Sequence, residues 1–313
     1  MSDATTARPL RAIVIFLTLI FLSAAVISPW IYRLALGICG ADSWLGGHPF
    51  HRYYGRTVQV LAVLGLWPFL RALGQRSLAD LGLGRPAGQW GRLAGGFALG
   101  FASLAVVAWV GVAVGARMVR SEILGPKLVE LLVKSAAGAG VVAMLEEVLF
   151  RGALFGGLRR AWPWPFALAV SSAVYALVHF MGKGDGAQAV QWYSGFEMLG
   201  QLLGGFTHWR EIVPGFFNLA LAGAILGLAY QRTGNLYYSI GLHAGWIFWL
   251  KICKALTFPA SDRTWLWGTW KLVDGWLALP LLLVVLAVVW RWVGDGRRRV
   301  TPGFQDSTSG GMR

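Results

Sequence analysis

Long apolar segments recur along the chain, and each is bounded by basic residues or polar loops. The first of them, Ala12–Tyr32, contains no charged residue and is long enough, at about 20 residues, to cross the hydrocarbon core of a bilayer as a helix. Because this stretch is longer than the core of a signal peptide, we expect an uncleaved first span. The predicted spans are Ala12–Tyr32, Thr57–Leu70, Leu93–Ala116, Ser135–Leu158, Phe166–Gly182, Ile212–Tyr230, Leu236–Leu250 and Trp276–Trp290.

The composition agrees with a chain whose solvent is the bilayer. Of its 313 residues, 56% are hydrophobic and only 13% are charged, whereas soluble domains carry roughly a quarter of their residues as charge. We therefore predict an all-α polytopic membrane protein in which about eight transmembrane helices pack into one bundle. We expect an integral, multi-pass protein of the bacterial inner (plasma) membrane, with the lipid bilayer around it.

The excess of basic residues, 28 Lys and Arg against 14 Asp and Glu, has a membrane explanation. Most basic side chains flank the apolar segments, where they meet anionic lipid headgroups, so we expect no nucleic-acid partner. An even number of spans puts both termini on one side of the membrane. Arg8, Arg11 and the run 297–299 lie on that side and favour its cytoplasmic placement, although the opposite loops are also basic.

Between the fifth and sixth spans lies a segment that is too polar to cross a membrane. Its apolar residues recur at helical spacing beside polar positions such as Glu197, which predicts an amphipathic helix at the membrane surface. Such a helix either covers a site or rests on the bilayer, and both roles stay open at this point. The apolar stripe consists of Trp192, Phe196, Leu199, Leu203 and Phe206.

A small group of ionisable side chains falls well inside the predicted spans. Its members are Glu146, Glu147, Arg151, His179 and His243. Polar side chains at membrane depth cost several kcal/mol unless they are paired, so they are rare and usually functional. Glu147 and Arg151 are four residues apart and can form an ion pair within one helical turn. Glu146 is turned by about 100° from Glu147 and lacks that local partner. A structural salt bridge would explain the pair alone but not the histidines.

The unpaired acid and the two histidines lie at comparable depths. With a rise of 1.5 Å per residue and a core of about 30 Å, Glu146 lies ~15 Å, His179 ~10 Å and His243 ~20 Å from the outer edge. We therefore expect all three in one layer of the bundle. A carboxylate there can take a proton from water, while imidazoles orient that water and stabilise an oxyanion. The same side chains form a plausible zinc-binding set with an open fourth position, and the sequence leaves both chemistries open.

These residues resemble the motifs of the CPBP intramembrane proteases, also called the Abi or CAAX-protease-like family. The first family motif, E-E-x-x-x-R, is matched by EEVLFRG, and the second, F-x-x-x-H, is similar to YALVH. The third resembles TGNLYYSIGLHAGW, in which a short turn leads into a helix that carries a histidine. The matching residues are Glu146, Glu147, Arg151, Tyr175, His179 and His243.

The resemblance implies an intramembrane endopeptidase that hydrolyses a peptide bond in a membrane-associated protein or peptide. It implies Glu146 as the general base toward water, His179 as its partner and His243 as the oxyanion stabiliser. The supporting residues would be Glu147, Arg151 and Tyr175. We prefer a mechanism that requires no cofactor; if zinc is bound, its ligands would be Glu146, His179 and His243.

One position departs from the family pattern. Family members commonly carry H-x-x-x-N in the third motif, and the Asn is implied to help bind the oxyanion, but this chain has Ile247 at that place. Asn218 and the indole N–H of Trp246 are candidate replacements. Loss of one oxyanion donor typically costs two to three orders of magnitude in rate, so without a replacement this chain would be slow or inactive.

Two other functions stay open at the level of sequence. Ile247 motivates a catalytically weak or inactive family member that binds a peptide or lipid, or that acts as an immunity protein. Buried Glu and His also build the proton relays of transporters. A proton-coupled transporter is the less favoured alternative because the chain shows no inverted repeat and no paired broken helices.

The resemblance also divides the chain. We expect N-terminal transmembrane helices and loops over residues 1–134, a CPBP/Abi-like catalytic core over 135–258 and a C-terminal transmembrane helix over 259–293. Residues 294–313 form a polar tail that we expect to be disordered. Cys39 and Cys253 both fall near the outer surface in this topology, so a disulfide between them is conceivable.

Overall fold

The computed structural model describes residues 3–120, 125–179, 189–204 and 209–293. Apart from one small sheet, the described chain is helical, which confirms the all-α class. The helices are α1 (Asp3–Cys39), α2 (Phe50–Ala72), α3 (Trp90–Ala113), α4 (Pro126–Glu147), α5 (Gly156–Ala161), α6 (Trp164–His179), α7 (Ser194–Gly204), α8 (Trp209–Thr233), α9 (Tyr237–Leu256), α10 (Thr264–Trp267) and α11 (Ala278–Trp292). The sheet pairs β1 (Arg117–Val119) with β2 (Thr257–Pro259) in antiparallel register. A 3₁₀ turn lies at Ala79–Leu81, and a π-helical segment, Val148–Phe155, joins α4 to α5.

The structure has a helix at every predicted span, and most of these helices extend beyond the apolar stretch that predicts them. Among the described residues, four helices are long and apolar enough to cross a membrane: Arg11–Cys39, Trp90–Ala113, Lys127–Ala161 and Val213–Thr233. Trp164–His179 and Ala278–Trp292 are shorter apolar helices. The chain is therefore an integral membrane protein, while the number of about eight spans stays a prediction. The end of the fifth predicted span, Gly182, lies outside the described residues.

Glycines let α3 and α9 approach each other closely. A β-carbon added at Gly96 or Gly100 of α3 would overlap the backbone of α9, and one added at Gly241 or Gly245 of α9 would overlap the backbone of α3. The small residues thus form two facing surfaces, as in other close-packed membrane helices. This contact fixes the position of α9, which carries His243.

The loops at the far ends of α3 and α9 are joined by the small sheet. Arg117 in β1 is buried and donates hydrogen bonds from Nε and Nη2 to the Thr257 hydroxyl, at 3.1 and 3.0 Å. Its Nη1 donates to the Thr269 carbonyl oxygen at 2.9 Å. These bonds hold the β1–β2 connection against the loop that precedes α11.

The predicted surface helix is present as α7, and it packs on the outside of the bundle. A β-carbon at Gly195 would overlap the backbone of Ala25 in α1, and the side chain of Met198 is buried. Trp192 and Phe196, from the predicted apolar stripe, are 61% and 43% exposed. That part of the stripe faces away from the protein, as expected of side chains that contact the membrane interface. Phe206 lies outside the described residues.

The two cysteines do not pair. Cys39 is an exposed free thiol, whereas Cys253 is buried, with its Sγ 3.2 Å from the Thr257 hydroxyl oxygen. The conceivable disulfide is therefore absent. The predicted disordered tail, 294–313, lies outside the described residues.

Candidate active site

The first motif lies where α4 changes into the π-helical segment. α4 ends at Glu147, and Val148–Phe155 follows a pattern in which each N–H bonds to the carbonyl five residues earlier. The sequence predicts a regular helix here, so the π-turns are a difference from expectation. Such turns occur frequently at functional sites. The predicted ion pair nevertheless forms, with Arg151 Nη1 2.9 Å from Glu147 Oε1.

Glu147 joins the first motif to the third. Its side chain is fully buried, and the Oε1 that accepts from Arg151 also lies 2.8 Å from Nδ1 of His243. A carboxylate oxygen can only accept, so Nδ1 of His243 carries the proton of this hydrogen bond. The contact orients the imidazole and leaves Nε2 directed away from Glu147. This bond depends on the relative position of α4 and α9, so the spacing of residues along the chain does not predict it.

Glu146 lies between the two histidines. Its Oε2 is 3.7 Å from Nε2 of His179 and 3.7 Å from Nε2 of His243. His179 donates from Nδ1 to the Tyr175 carbonyl oxygen at 2.8 Å, which leaves its Nε2 facing the carboxylate. The separations of 3.7 Å exceed a direct hydrogen bond, so the carboxylate faces both imidazoles without bonding to either. The structure thus brings the predicted acid and both histidines together, although their catalytic roles stay predictions.

Tyr175 packs into the same cluster. Its hydroxyl lies 3.4 Å from Nε2 of His243. The Arg151 guanidinium lies over the Tyr175 ring, with Cζ 4.3 Å from the ring centre. Arg151 also lies 3.4 Å, through Nη2, from the Gly223 carbonyl oxygen in α8. Tyr175 therefore contacts both His243 and the guanidinium that pairs with Glu147.

Burial and charge set the electrostatics of the site. Glu147 and Arg151 are almost completely buried, with exposed side-chain fractions of 0% and 3%, whereas the Glu146 and His179 side chains are 27% and 30% exposed. Two carboxylates and one guanidinium give the cluster a net charge of −1 when both imidazoles are neutral. An uncompensated charge is costly at membrane depth.

Asn218 and Trp246 have other hydrogen-bond partners. The Asn218 amide nitrogen donates to the carbonyl oxygens of Val273 and Gly275, both at 2.8 Å. The Trp246 indole donates to the Ser103 hydroxyl in α3 at 2.9 Å. Both side chains thus stabilise contacts between segments. These bonds engage the donors of both side chains, and the role of either one as an oxyanion donor stays a prediction.

The donor types at the site are those that a zinc ion accepts. The residues that the structure describes contain no group of three or more His, Cys, Asp or Glu side chains placed to hold a metal ion. Glu146, His179 and His243 have the donor types that zinc accepts, but tetrahedral bonds of about 2.0–2.1 Å would put neighbouring ligand atoms only about 3.3–3.5 Å apart. The two observed separations are 3.7 Å. The carboxylate oxygen and the two histidine nitrogens would need to approach by only about 0.2–0.4 Å to reach these separations, so the choice between the metal-free and the zinc mechanism stays a prediction.

Residues 128–249 match the family described as "Type II CAAX prenyl endopeptidase Rce1-like". The matched segment contains all three motifs and the cluster around Glu146, and the match confirms the resemblance to the CPBP or CAAX-protease-like family. No match was found among curated proteins or among solved structures.

Proposed function

We propose that this chain is an intramembrane endopeptidase in which Glu146 activates water for attack on a peptide bond. The observation that carries the proposal is the position of Glu146 Oε2 at 3.7 Å from Nε2 of both His179 and His243. The family match over residues 128–249 supports a CAAX-type protease. Glu146 Oε2 is also buried without a hydrogen-bond partner among the described residues, so it has free capacity to accept a proton from a water molecule that enters beside it.

The proposed reaction begins with a water molecule held between Glu146 and the Nε2 of His179. The carboxylate of Glu146 removes one proton while the water oxygen bonds to the scissile carbonyl carbon, and a tetrahedral oxyanion forms. The C–N bond then breaks, and Glu146 returns the proton to the leaving amine. The products are one new carboxylic acid and one new amine, which exchange a proton to become a carboxylate and an ammonium, so the atoms of a single water are consumed.

His243 is proposed to stabilise the oxyanion. With Nδ1–H donated to Glu147, its Nε2 can donate to the oxyanion only when the imidazole is protonated. Glu147 and Arg151 act as positioning residues through this contact.

The substrate reaches such a site within the membrane. We propose that it is a membrane-associated protein or peptide, that the protein lies in the bacterial inner membrane, and that all eight predicted helices cross it. A helix lies at each of the eight predicted spans, which supports this count. No cofactor is required in this mechanism.

The test compares peptide termini in membranes of cells that carry the wild type, Glu146→Gln or His243→Ala. We expect specific new termini with the wild type that both variants lack at equal protein abundance. Glu130→Gln is the matched control, because Glu130 is an exposed glutamate on the same helix and pairs with Lys134. If the termini are identical in all strains while the variants remain folded, the chain is not a protease.

A further inference from the structure

The contacts between α4 and α9 continue beyond the catalytic cluster. Glu147 of α4 meets His243 of α9, and eight residues further along α9 the side chain of Lys251 lies against Gly138 of α4. A β-carbon at Gly138 would overlap the Lys251 ammonium. The glycine therefore leaves the space in which this cation lies across α4.

The surface between Lys251 and Glu146 is partly open. Lys251 is exposed, Ile247 is half-buried one turn closer to His243, and Val142, between Gly138 and Glu146 on α4, is 37% exposed. The Glu146 side chain is 27% exposed at the other end. These residues form a partly exposed path that runs from a cation to the proposed general base.

Lys251 has no counter-ion on this path. In the described parts of α4, α9 and their neighbours, no carboxylate forms an ion pair with Lys251, whereas Lys134, one turn before Gly138, is paired with Glu130. Eight helical residues separate Lys251 from His243 by about 12 Å along the axis. An extended peptide covers that distance with roughly three to four residues.

We propose that Lys251 binds the C-terminal carboxylate of the peptide substrate while the bond about three residues upstream lies at Glu146. The inference rests on the proposed protease function. In an extended peptide, each peptide bond near the C-terminus lies at a fixed distance from the terminal carboxylate. An ammonium that binds this carboxylate at a fixed distance from the general base therefore determines which peptide bond reaches Glu146. Hydrogen bonds between an ammonium and a carboxylate are among the stronger ones in proteins.

The experiment uses the purified full chain in lipid bilayers and one pair of peptides. Each peptide carries an S-farnesyl-cysteine followed by three residues, and the two differ only in ending with a free carboxylate or an amide. We expect the wild type to cleave the free acid with a kcat/KM at least about tenfold above that of the amide. Lys251→Met should bring this ratio close to one by slowing cleavage of the acid alone.

Three further variants make the test specific. Lys251→Arg retains the positive charge and should retain most of the acid preference. Gly138→Ala leaves the lysine in place but displaces its ammonium, so the ratio should fall without any loss of charge. Lys134→Met is the control, because it removes a cation at a similar position that is already paired with Glu130; its ratio should equal that of the wild type.

The outcomes separate this inference from the proposed function. An acid preference that persists in Lys251→Met, or a wild type that cleaves both peptides equally, overturns the role of Lys251. Cleavage of the amide that is lost in Glu146→Gln keeps the protease function in either case. If the wild type cleaves neither peptide, the protease function is in doubt, and binding of the two peptides then decides: tighter binding of the acid that disappears in Lys251→Met supports the site, and equal binding overturns it.

Discussion

Replacing Arg151 with Met should destabilise the protein strongly, because Glu147 would keep a buried charge without its guanidinium. The Arg151 side chain is 3% exposed and the Glu147 side chain is fully buried, and their contact is 2.9 Å long. Breaking a buried ion pair by removing one partner typically costs about 3–5 kcal/mol. We expect a loss of this size in the free energy of unfolding. The Arg151 guanidinium also makes the contacts with Tyr175 and Gly223, so this loss of about 3–5 kcal/mol includes them.

The measurement is reversible unfolding of the purified protein in mixed micelles with increasing denaturing detergent. Arg159→Met is the matched control, since Arg159 also lies over an aromatic ring, 4.5 Å from the centre of Tyr230, and donates to the side chains of Tyr230 and Gln231. No carboxylate among the described residues pairs with Arg159. Its loss should therefore cost only about 1–2 kcal/mol.

A double variant tests the cause. In Glu147→Gln with Arg151→Met, neither buried charge remains, so the double variant should be more stable than Arg151→Met alone by at least about 1 kcal/mol. If Arg151→Met lowers the free energy of unfolding no more than Arg159→Met does, the buried charge of Glu147 does not depend on Arg151 for its stabilisation. The same conclusion follows if the loss in the double variant equals the sum of the two single losses.

Three further predictions concern catalysis, metal content and packing. Ile247→Asn restores the amide of the family motif and should raise kcat about tenfold or more, whereas an unchanged or lower rate would show that His243 needs no second oxyanion donor. Protein purified without chelator should contain less than about 0.1 equivalent of zinc by elemental analysis; a full equivalent that disappears in His179→Ala would replace the glutamate mechanism with a metal one. Gly245→Leu should separate α9 from α3 and lower the free energy of unfolding by at least about 2 kcal/mol. Gly140→Ala, at a helical glycine with open space around it, should be neutral or slightly stabilising, and equal effects of the two changes would contradict this account of the helix contact.

The helices could be predicted from the sequence because apolar length is a local property. The helix ends could not be predicted in the same way. A helix ends where its backbone hydrogen bonds end, and these often continue beyond the last apolar residue. α1 ends at Cys39, followed by Gly40 with a φ of 76°, several residues beyond the apolar stretch that ends at Tyr32. Helix length depends on these ends, so the number of spans stays a prediction.

Part of the candidate site was also predictable. The pair Glu147 and Arg151 follows from a spacing of four residues, and the depth argument brought His179 and His243 to the level of Glu146. Contacts between different helices were beyond the sequence, because they depend on how two helices are shifted along each other. The bond between His243 and Glu147 is one such contact.

The same limit explains two other differences. The π-helical turns after Glu147 have no signal in hydrophobic spacing. Asn218 was a candidate oxyanion donor because it lies in an apolar span, yet its amide binds the loop before α11. In the sequence, the only sign of the contact between Lys251 and Gly138 is the glycine itself. Glycine occurs 42 times in this chain, so its presence on α4 does not predict a contact.

In the proposed mechanism Glu146 takes a proton from the attacking water and passes it to the leaving amine. The most direct measurement is the initial rate of cleavage of the S-farnesyl peptide by purified wild type, Glu146→Gln and Glu130→Gln in water enriched in ¹⁸O. The account predicts one ¹⁸O atom in each new carboxylate, a rate for Glu146→Gln lower by at least about 10³, and an unchanged rate for Glu130→Gln. A folded Glu146→Gln protein that retains more than about a tenth of the wild-type rate would contradict it.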